Sequence, residues 1–379
     1  MSIEAINYAV PTPGEFIKEE LEAREWTQGD LAYVLGTSPQ NLHAILSGKR
    51  GISSAMAKAL GKALDVPAIF FTNLQAAYDL SIADDPDPAI ERRARLQEHF
   101  PVREMIKRGW IDENLDASLL EEHMMRYFRC NSVDDIPYLS HAARKSSYYE
   151  DRNISPIQIS WLFRVHQIAE QIELPRYSAT KLRKALEDLK GLMIAPEETR
   201  NAPCVLMECG VRIIFVEALP NAKIDGACFW LDKSSPVIGM SLRFDRIDNF
   251  WFVLRHEIEH VLNCDGQKKG QEIIDDMEAM SSNASLPDEE LKANIAAQEF
   301  CVPRDKLVGF IARKNPYFSE HDISGFARVH GVHPGIVVGQ IHDYTKNFKL
   351  LRKHLVKVRQ FVTSTGMFDG WGDVFPVSL

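Results

Sequence analysis

Apolar residues recur at helical spacing in four short blocks near the start of the chain. They are Phe16, Ile17 and Leu21; Leu31, Ala32 and Leu35; Leu42, Ile45 and Leu46; and Met56, Leu60 and Leu64. Between the second and third blocks, Val34-Leu-Gly36-Thr37-Ser38-Pro39 reads as a helix stop followed at once by a helix start. Gly36 closes one helix, Ser38 caps the next, and Pro39 occupies its first position. Two short helices joined in this way predict a helix-turn-helix, whose second member enters the DNA major groove. The outward positions of that second helix are Gln40, Asn41, His43, Ala44 and Ser47. Gln and Asn can form paired hydrogen bonds with adenine, so Gln40 and Asn41 are the candidate base readers. Lys49 and Arg50, just past the helix, are placed to hold phosphate. Periodicity alone also permits a generic four-helix bundle.

The pattern changes after Asp84-Asp85-Pro86-Asp87-Pro88, an acidic, proline-rich stretch that predicts a hinge. Helical spacing then covers 90–99, 102–108, 117–128, 157–172 and 179–190. Apolar runs at 203–208, 211–217, 227–231 and 236–242 predict a small sheet. Further helices are expected around 291–301, 304–313, 320–330 and 334–346. In the last segment, Phe368, Trp371 and Phe375 are spaced with Gly and Asp, which suits a tail folded back on its own chain or one that docks a partner.

One segment carries chemistry. In Phe250-Trp-Phe-Val-Leu-Arg-His256-Glu257-Ile-Glu-His260, the two histidines lie four apart and share a helix face, so both can grip one metal ion. Glu257 projects beside that face, where it can deprotonate a water, giving the H-E-x-x-H arrangement of zinc hydrolases. The bland alternative is a buried helix whose histidines bond to backbone. A third ligand is offered by Glu290, near the start of a helix with the stripe Ala293, Ala297 and Phe300. Glu289 competes for the role, and an acidic first turn offsetting the helix dipole is the alternative for both. Cys264 follows His260 by four residues and could approach the metal, although a small buried apolar role is the simpler expectation.

Two resemblances follow from these residues. Lys223-Ile-Asp-Gly-Ala, the stretch from Val237 to Phe252, H-E-x-x-H, the E-x-x-A-N of Glu290 to Asn294, and Gly331-Val-His-Pro-Gly-Ile-Val-Val-Gly-Gln340 together resemble the ImmA/IrrE family of bacterial metallopeptidases. That resemblance implies Zn2+ held by His256, His260 and Glu290, with Glu257 as general base in peptide hydrolysis. It also implies a protein substrate, such as a DNA-bound repressor cut after stress or phage signals. His330 and His333 are candidates to stabilise an oxyanion, with ordinary structural roles as the alternative. Glu259 stands where a small residue is typical in that family, and Lys292 stands where a second acidic residue is common.

Pro13-Gly-Glu-Phe-Ile, Leu46-Ser-Gly-Lys-Arg-Gly-Ile and the stretch from Phe71 to Leu80 look like the HigA-type antitoxins. This resemblance implies a homodimer that binds operator DNA and often a partner toxin. Pro101-Val-Arg-Glu-Met-Ile-Lys-Arg-Gly-Trp110 resembles a segment of long HigA-like proteins fused to the peptidase, without indicating a chemistry.

The expected fold is therefore multidomain. It comprises an all-α helix-turn-helix domain at 1–82, a helical connector at 83–190, an α+β zincin-like metallopeptidase domain at 191–350, and a C-terminal helix and tail at 351–379. The expected function is that of an antitoxin- or repressor-type regulator whose fused endopeptidase cleaves a regulatory protein or itself. The alternative, favoured by Glu259 and Lys292, is an inactive operator-binding antitoxin whose second half holds a toxin or senses a ligand.

Composition adjusts this picture at the edges. The chain has 379 residues, 45% hydrophobic and 26% charged, with a net charge of −9, which gives no support for a general polyanion or membrane-surface binder. Residues 1–80 hold six Lys or Arg against nine Asp or Glu, a net of 6 − 9 = −3. DNA binding by such a domain must lean on a few placed cations, dimer avidity and base contacts. The segment Met1-Ser-Ile-Glu lacks the basic start and apolar run of a signal peptide, and no apolar stretch is long enough to span a bilayer. Six cysteines at 130, 204, 209, 228, 264 and 301, with no C-x-x-C pair, fit a reducing cytoplasm. Arg92, Arg93 and Arg95 could track DNA, though a solvated helix face explains them as well.

Overall fold

The structure is a computed structural model and describes residues 10–113, 116–136, 154–267, 273–275 and 287–377. The chain divides into two compact units, Met1–Asp87 and Pro88–Leu379.

Among its described residues the first unit is all helix: α1 (Pro13–Ala23), α2 (Gln28–Val34), α3 (Pro39–Leu46), α4 (Ser54–Leu64) and α5 (Ala68–Ile82). The helix starts are written in the sequence. Thr12 and Thr27 cap α1 and α2 in reciprocal capping boxes with Glu15 and Asp30, while the Ser38 and Ser53 hydroxyls accept from Asn41 N and Met56 N. Gly36 ends α2 at φ +63°, a backbone conformation in which glycine carries no side-chain penalty. Ile17, Leu31, Leu42, Ile45, Leu60, Leu64 and Phe71 close a small core. Helix α5 is apolar nearly all round, so Ile69, Leu80 and Ile82 remain exposed.

The second unit is built on a five-stranded mixed sheet. Its strands are β1 (Arg212–Val216), β2 (Gly226–Trp230), β3 (Pro236–Met240), β4 (Ile273–Asp275) and β5 (Met367–Asp369). Their order is β4-β2-β3-β1-β5, with β1 parallel to β3 and β5, and β2 antiparallel to β3 and β4. Every residue of β1, β2 and β3 is buried, because helices cover both faces of the sheet. Side chains alternate between two cores. Ile213, Phe215, Cys228, Trp230, Ile238 and Met240 pack on one side with α12 (Ile247–Asn263). Ile214, Val216, Ala227, Phe229 and Val237 pack on the other.

That second core overturns the expectation of a separate connector at 83–190. It is shared by α6 (Ala89–His99), α7 (Val102–Lys107), α8 (Ala117–Phe128) and α9 (Pro156–Glu170), so these helices are one layer of the sheet unit. The Trp161 indole N–H donates to Val216 O of β1 at 2.9 Å. Arg92 pairs with Glu121 and Ser118 of α8, and Arg95 with Asp134, so these cations brace their own unit. The other described α-helices are α10 (Ala179–Gly191), α11 (Ala202–Glu208), α13 (Asp288–Cys301), α14 (Arg304–Lys314), α15 (Glu320–His330), α16 (Pro334–Thr345) and α17 (Arg359–Val362).

Two other expectations change. The run 203–208 is helix α11 rather than strand: Pro203 sits in its first turn, and Ala202, Pro203 and Leu206 form its buried face. The tail supplies a strand: β5 pairs along β1 and is fixed by the buried Asp369 carboxylate. That carboxylate accepts from Trp110 Nε1 at 2.7 Å, Arg164 Nε at 3.1 Å and Phe375 N at 2.9 Å. Trp110 closes the Pro101–Trp110 motif, which thereby gains a structural role. Among the described residues, no helix is long and apolar enough to cross a membrane.

Candidate functional site

Helix α12 runs between the sheet and α13, which accounts for its long apolar face and for the full burial of His256, Glu257 and His260. The small residues Ala293 and Ala297 face inward on α13 and let the two helices pack closely. This packing brings Glu290 to the histidine pair while Glu289 and Lys292 stay exposed. His256 Nε2 and His260 Nε2 lie 3.0 Å apart, with Glu290 oxygens 3.2 Å from the first and 3.6 Å from the second. A tetrahedral ion with bonds of about 2.0–2.1 Å to N and O needs ligand atoms roughly 3.3 Å apart. The three groups therefore fit zinc in separation and chemistry. Burial pushes the Glu290 carboxyl up, but hydrogen bonds and charge from the two imidazoles outweigh it and hold the carboxyl below its usual range. Cys264 is exposed at the helix end and does not belong to this group.

The Glu257 carboxylate lies against Gly226, the first residue of β2. A Cβ at position 226 would collide with Glu257 Oε1 and crowd Val253, so a larger residue there would displace the carboxylate. Glu259 is met by Arg255 one turn earlier at 2.8 Å, and the Arg255 guanidinium also lies over the Phe300 ring. Two sequence candidates are occupied elsewhere. His333 caps α16 by accepting from Gly335 N at 3.0 Å, and the His330 ring packs on Phe326. Sequence reasoning missed Asp265, whose Oδ2 lies 3.0 Å from His260 Nδ1. Its only sequence signal is an acidic residue just past a histidine helix.

In the first unit, Gln40, Asn41, His43, Ser47, Lys49 and Arg50 are all exposed. The Ser47 hydroxyl donates to His43 O at 2.7 Å, so it serves the C-terminal turn of α3. The loop carrying Lys49 and Arg50 is pinned from behind, where Gln75 Oε1 accepts from Ile52 N at 2.8 Å.

Comparison with known proteins agrees with that geometry. Residues 17–71 match the family model described as helix-turn-helix. The chain is similar to virulence-associated protein A' of Dichelobacter nodosus, 40% identical over 72 residues. The match covers 19% of this chain and 63% of that relative's length, so the chain spans less than two thirds of it. Among solved structures, a Pseudomonas aeruginosa protein in complex with its operator DNA is 36% identical, covering 19% of this chain and 77% of that one at a TM-score of 0.18. An addiction module antidote protein of the HigA family from Coxiella burnetii is 28% identical, covering 24% and 95% at a TM-score of 0.20. The antitoxin HigA of Pseudomonas aeruginosa, solved with the higBA promoter, is 31% identical, covering 24% and 89% at a TM-score of 0.18.

Proposed function

We propose that this chain is an operator-binding regulator of the antitoxin or repressor type, fused to a zinc-dependent endopeptidase. The DNA-binding half is supported by the helix-turn-helix family match, the exposed polar face of α3, and sequence similarity to proteins solved with operator or promoter DNA. Gln40 and Asn41 read bases, His43 and Ser47 flank them, and Lys49 and Arg50 hold phosphate. The unit works as a homodimer on two half-sites.

The observation that carries the enzymatic half is the buried triangle of His256, His260 and Glu290, with Glu257 on the adjoining helix face. These three residues would hold zinc, which would supply a Lewis acid able to acidify water and polarise a carbonyl. Glu257 accepts the proton of the attacking water and passes it to the leaving amine. Its burial excludes bulk water, and the carboxylate lies against Gly226. The substrate is a protein, either a toxin or repressor bound nearby or the chain's own hinge at 84–88. Joining the peptidase to an operator-binding unit raises its concentration near other proteins on the same DNA.

The test is elemental analysis of protein purified without added metal, wild type beside His260→Ala. Near-stoichiometric zinc in the wild type and its loss in the variant are expected. A wild type that holds no zinc and takes up none on titration sinks the peptidase reading and leaves an operator-binding regulator.

A further inference from the structure

The residue just beyond the histidine helix bears on the metal site as directly as those within it. Helix α12 ends at Cys264, which adopts the left-handed conformation at φ 61°. The chain therefore turns back, and Asp265 N donates to His260 O at 2.9 Å. This turn brings the Asp265 carboxylate to the edge of the imidazole that its own backbone has just passed, with Oδ2 3.0 Å from Nδ1. Strand β2 then holds Asp265 from behind: Trp230 Nε1 donates to Asp265 O at 2.9 Å, and the Cys228 thiol approaches the same oxygen at 4.0 Å.

Neutral imidazole has two tautomers, and only the one with its proton on Nδ1 leaves a lone pair on Nε2. In this site Nε2 is the nitrogen that faces His256 and Glu290. We propose that Asp265 is a positioning residue for the metal site, accepting the Nδ1 proton of His260 so that Nε2 is held ready for zinc. The inference rests on the proposed zinc function. Asp265 meets His260 on the opposite edge of the ring from the metal-facing nitrogen, so it acts through the histidine rather than as a fourth ligand. The carboxylate sets the ring's rotation as well as its tautomer, and it raises the basicity of the nitrogen across the ring. Strand β2 thus serves the centre twice, with Gly226 making room for Glu257 and Trp230 fixing the turn that delivers Asp265.

The experiment uses the full chain stripped of metal and titrated with zinc against a chromophoric chelator, comparing wild type, Asp265→Ala and Asp265→Asn. Removal of such an orienting partner weakens zinc binding by about 10–100-fold, the loss expected for the alanine variant. The asparagine variant keeps an acceptor oxygen and should recover much of that loss. Cobalt in place of zinc should give shifted d–d absorption bands in Asp265→Ala, while the melting temperature of the metal-free protein stays at the wild-type value. Unchanged affinity in the alanine variant overturns the proposal, as does an affinity loss that merely tracks lost metal-free folding and is equal in both variants. A wild type that binds no zinc fails the peptidase reading itself, whereas zinc uptake indifferent to position 265 fails only this inference.

Discussion

Helices α3 and α12 carry the two candidate activities of this chain, and they are built in opposite ways. On α3 the residues assigned to DNA point outward, and the fold contributes little beyond setting the angle of the helix and pinning the loop that follows. On α12 the functional residues point inward, and each leans on another element: Glu290 on α13, Gly226 on β2, Asp265 past the helix end. A surface reader can exchange residues and change its sequence preference. A buried centre tolerates little change, because each group is also a packing element.

The sharpest way to break the comparison is Glu257→Gln. Loss of general-base function should lower peptide cleavage by about 10²–10⁴-fold while zinc content and operator affinity stay at wild-type values. A variant that still cleaves, read on gels with any substrate the wild type cuts, would remove Glu257 from the chemistry. Next in size is Asp369→Ala, which strands the buried Arg164 and Trp110 donors. Breaking such a pair should cost the second unit about 3–5 kcal/mol in chemical denaturation, leaving the helix-turn-helix transition in place.

Smaller effects are expected on the DNA side, as the comparison requires. Asn41→Ala should cost about 1–3 kcal/mol of operator affinity and relax preference at one base pair, measured by competition with mutated operator sites. Lys49→Ala should weaken all sequences alike and lower the salt slope by about 1; a slope that does not move would remove Lys49 from the phosphate contacts.

The smallest effect concerns His333, whose Nδ1 must be unprotonated to cap α16. Burial, and then the neighbouring His354, hold its pKa below the ordinary value of 6.5. The unfolded chain therefore takes up the proton first. The contribution of His333 to stability is complete above that value and is lost as pH falls through the lower, folded one. His333→Asn keeps the cap and should flatten the pH dependence of melting in that range.

What could be read from the sequence follows the same division. The turn before α3 was legible because Gly36, Ser38 and Pro39 act on their own backbone, and local chemistry needs no partner. The H-E-x-x-H spacing was legible for a similar reason, since one helix carries it. The remaining features depend on distant chain. Asp265 reaches His260 only because Cys264 turns the chain back, and β5 is too short to announce itself without β1 beside it. The run at 203–208 was ambiguous because a brief apolar segment suits either a buried strand or a helix face. The helices of 88–170 looked like a connector because their partner, the far face of the sheet, lies later in the sequence.

The pairing of Ile214 with Met367 also has a consequence in time. The first unit closes its core from neighbouring segments, whereas β1 must wait for its edge strand until residues 367–369 have been made. Local topologies fold fast and non-local ones slowly, and domains emerge from the ribosome in order. A nascent chain should thus acquire a folded helix-turn-helix unit well before the sheet that backs His256, His260 and Glu290 can close. Stopped-flow refolding should show the order directly, with Trp26 in the first unit reporting before Trp110 against Asp369.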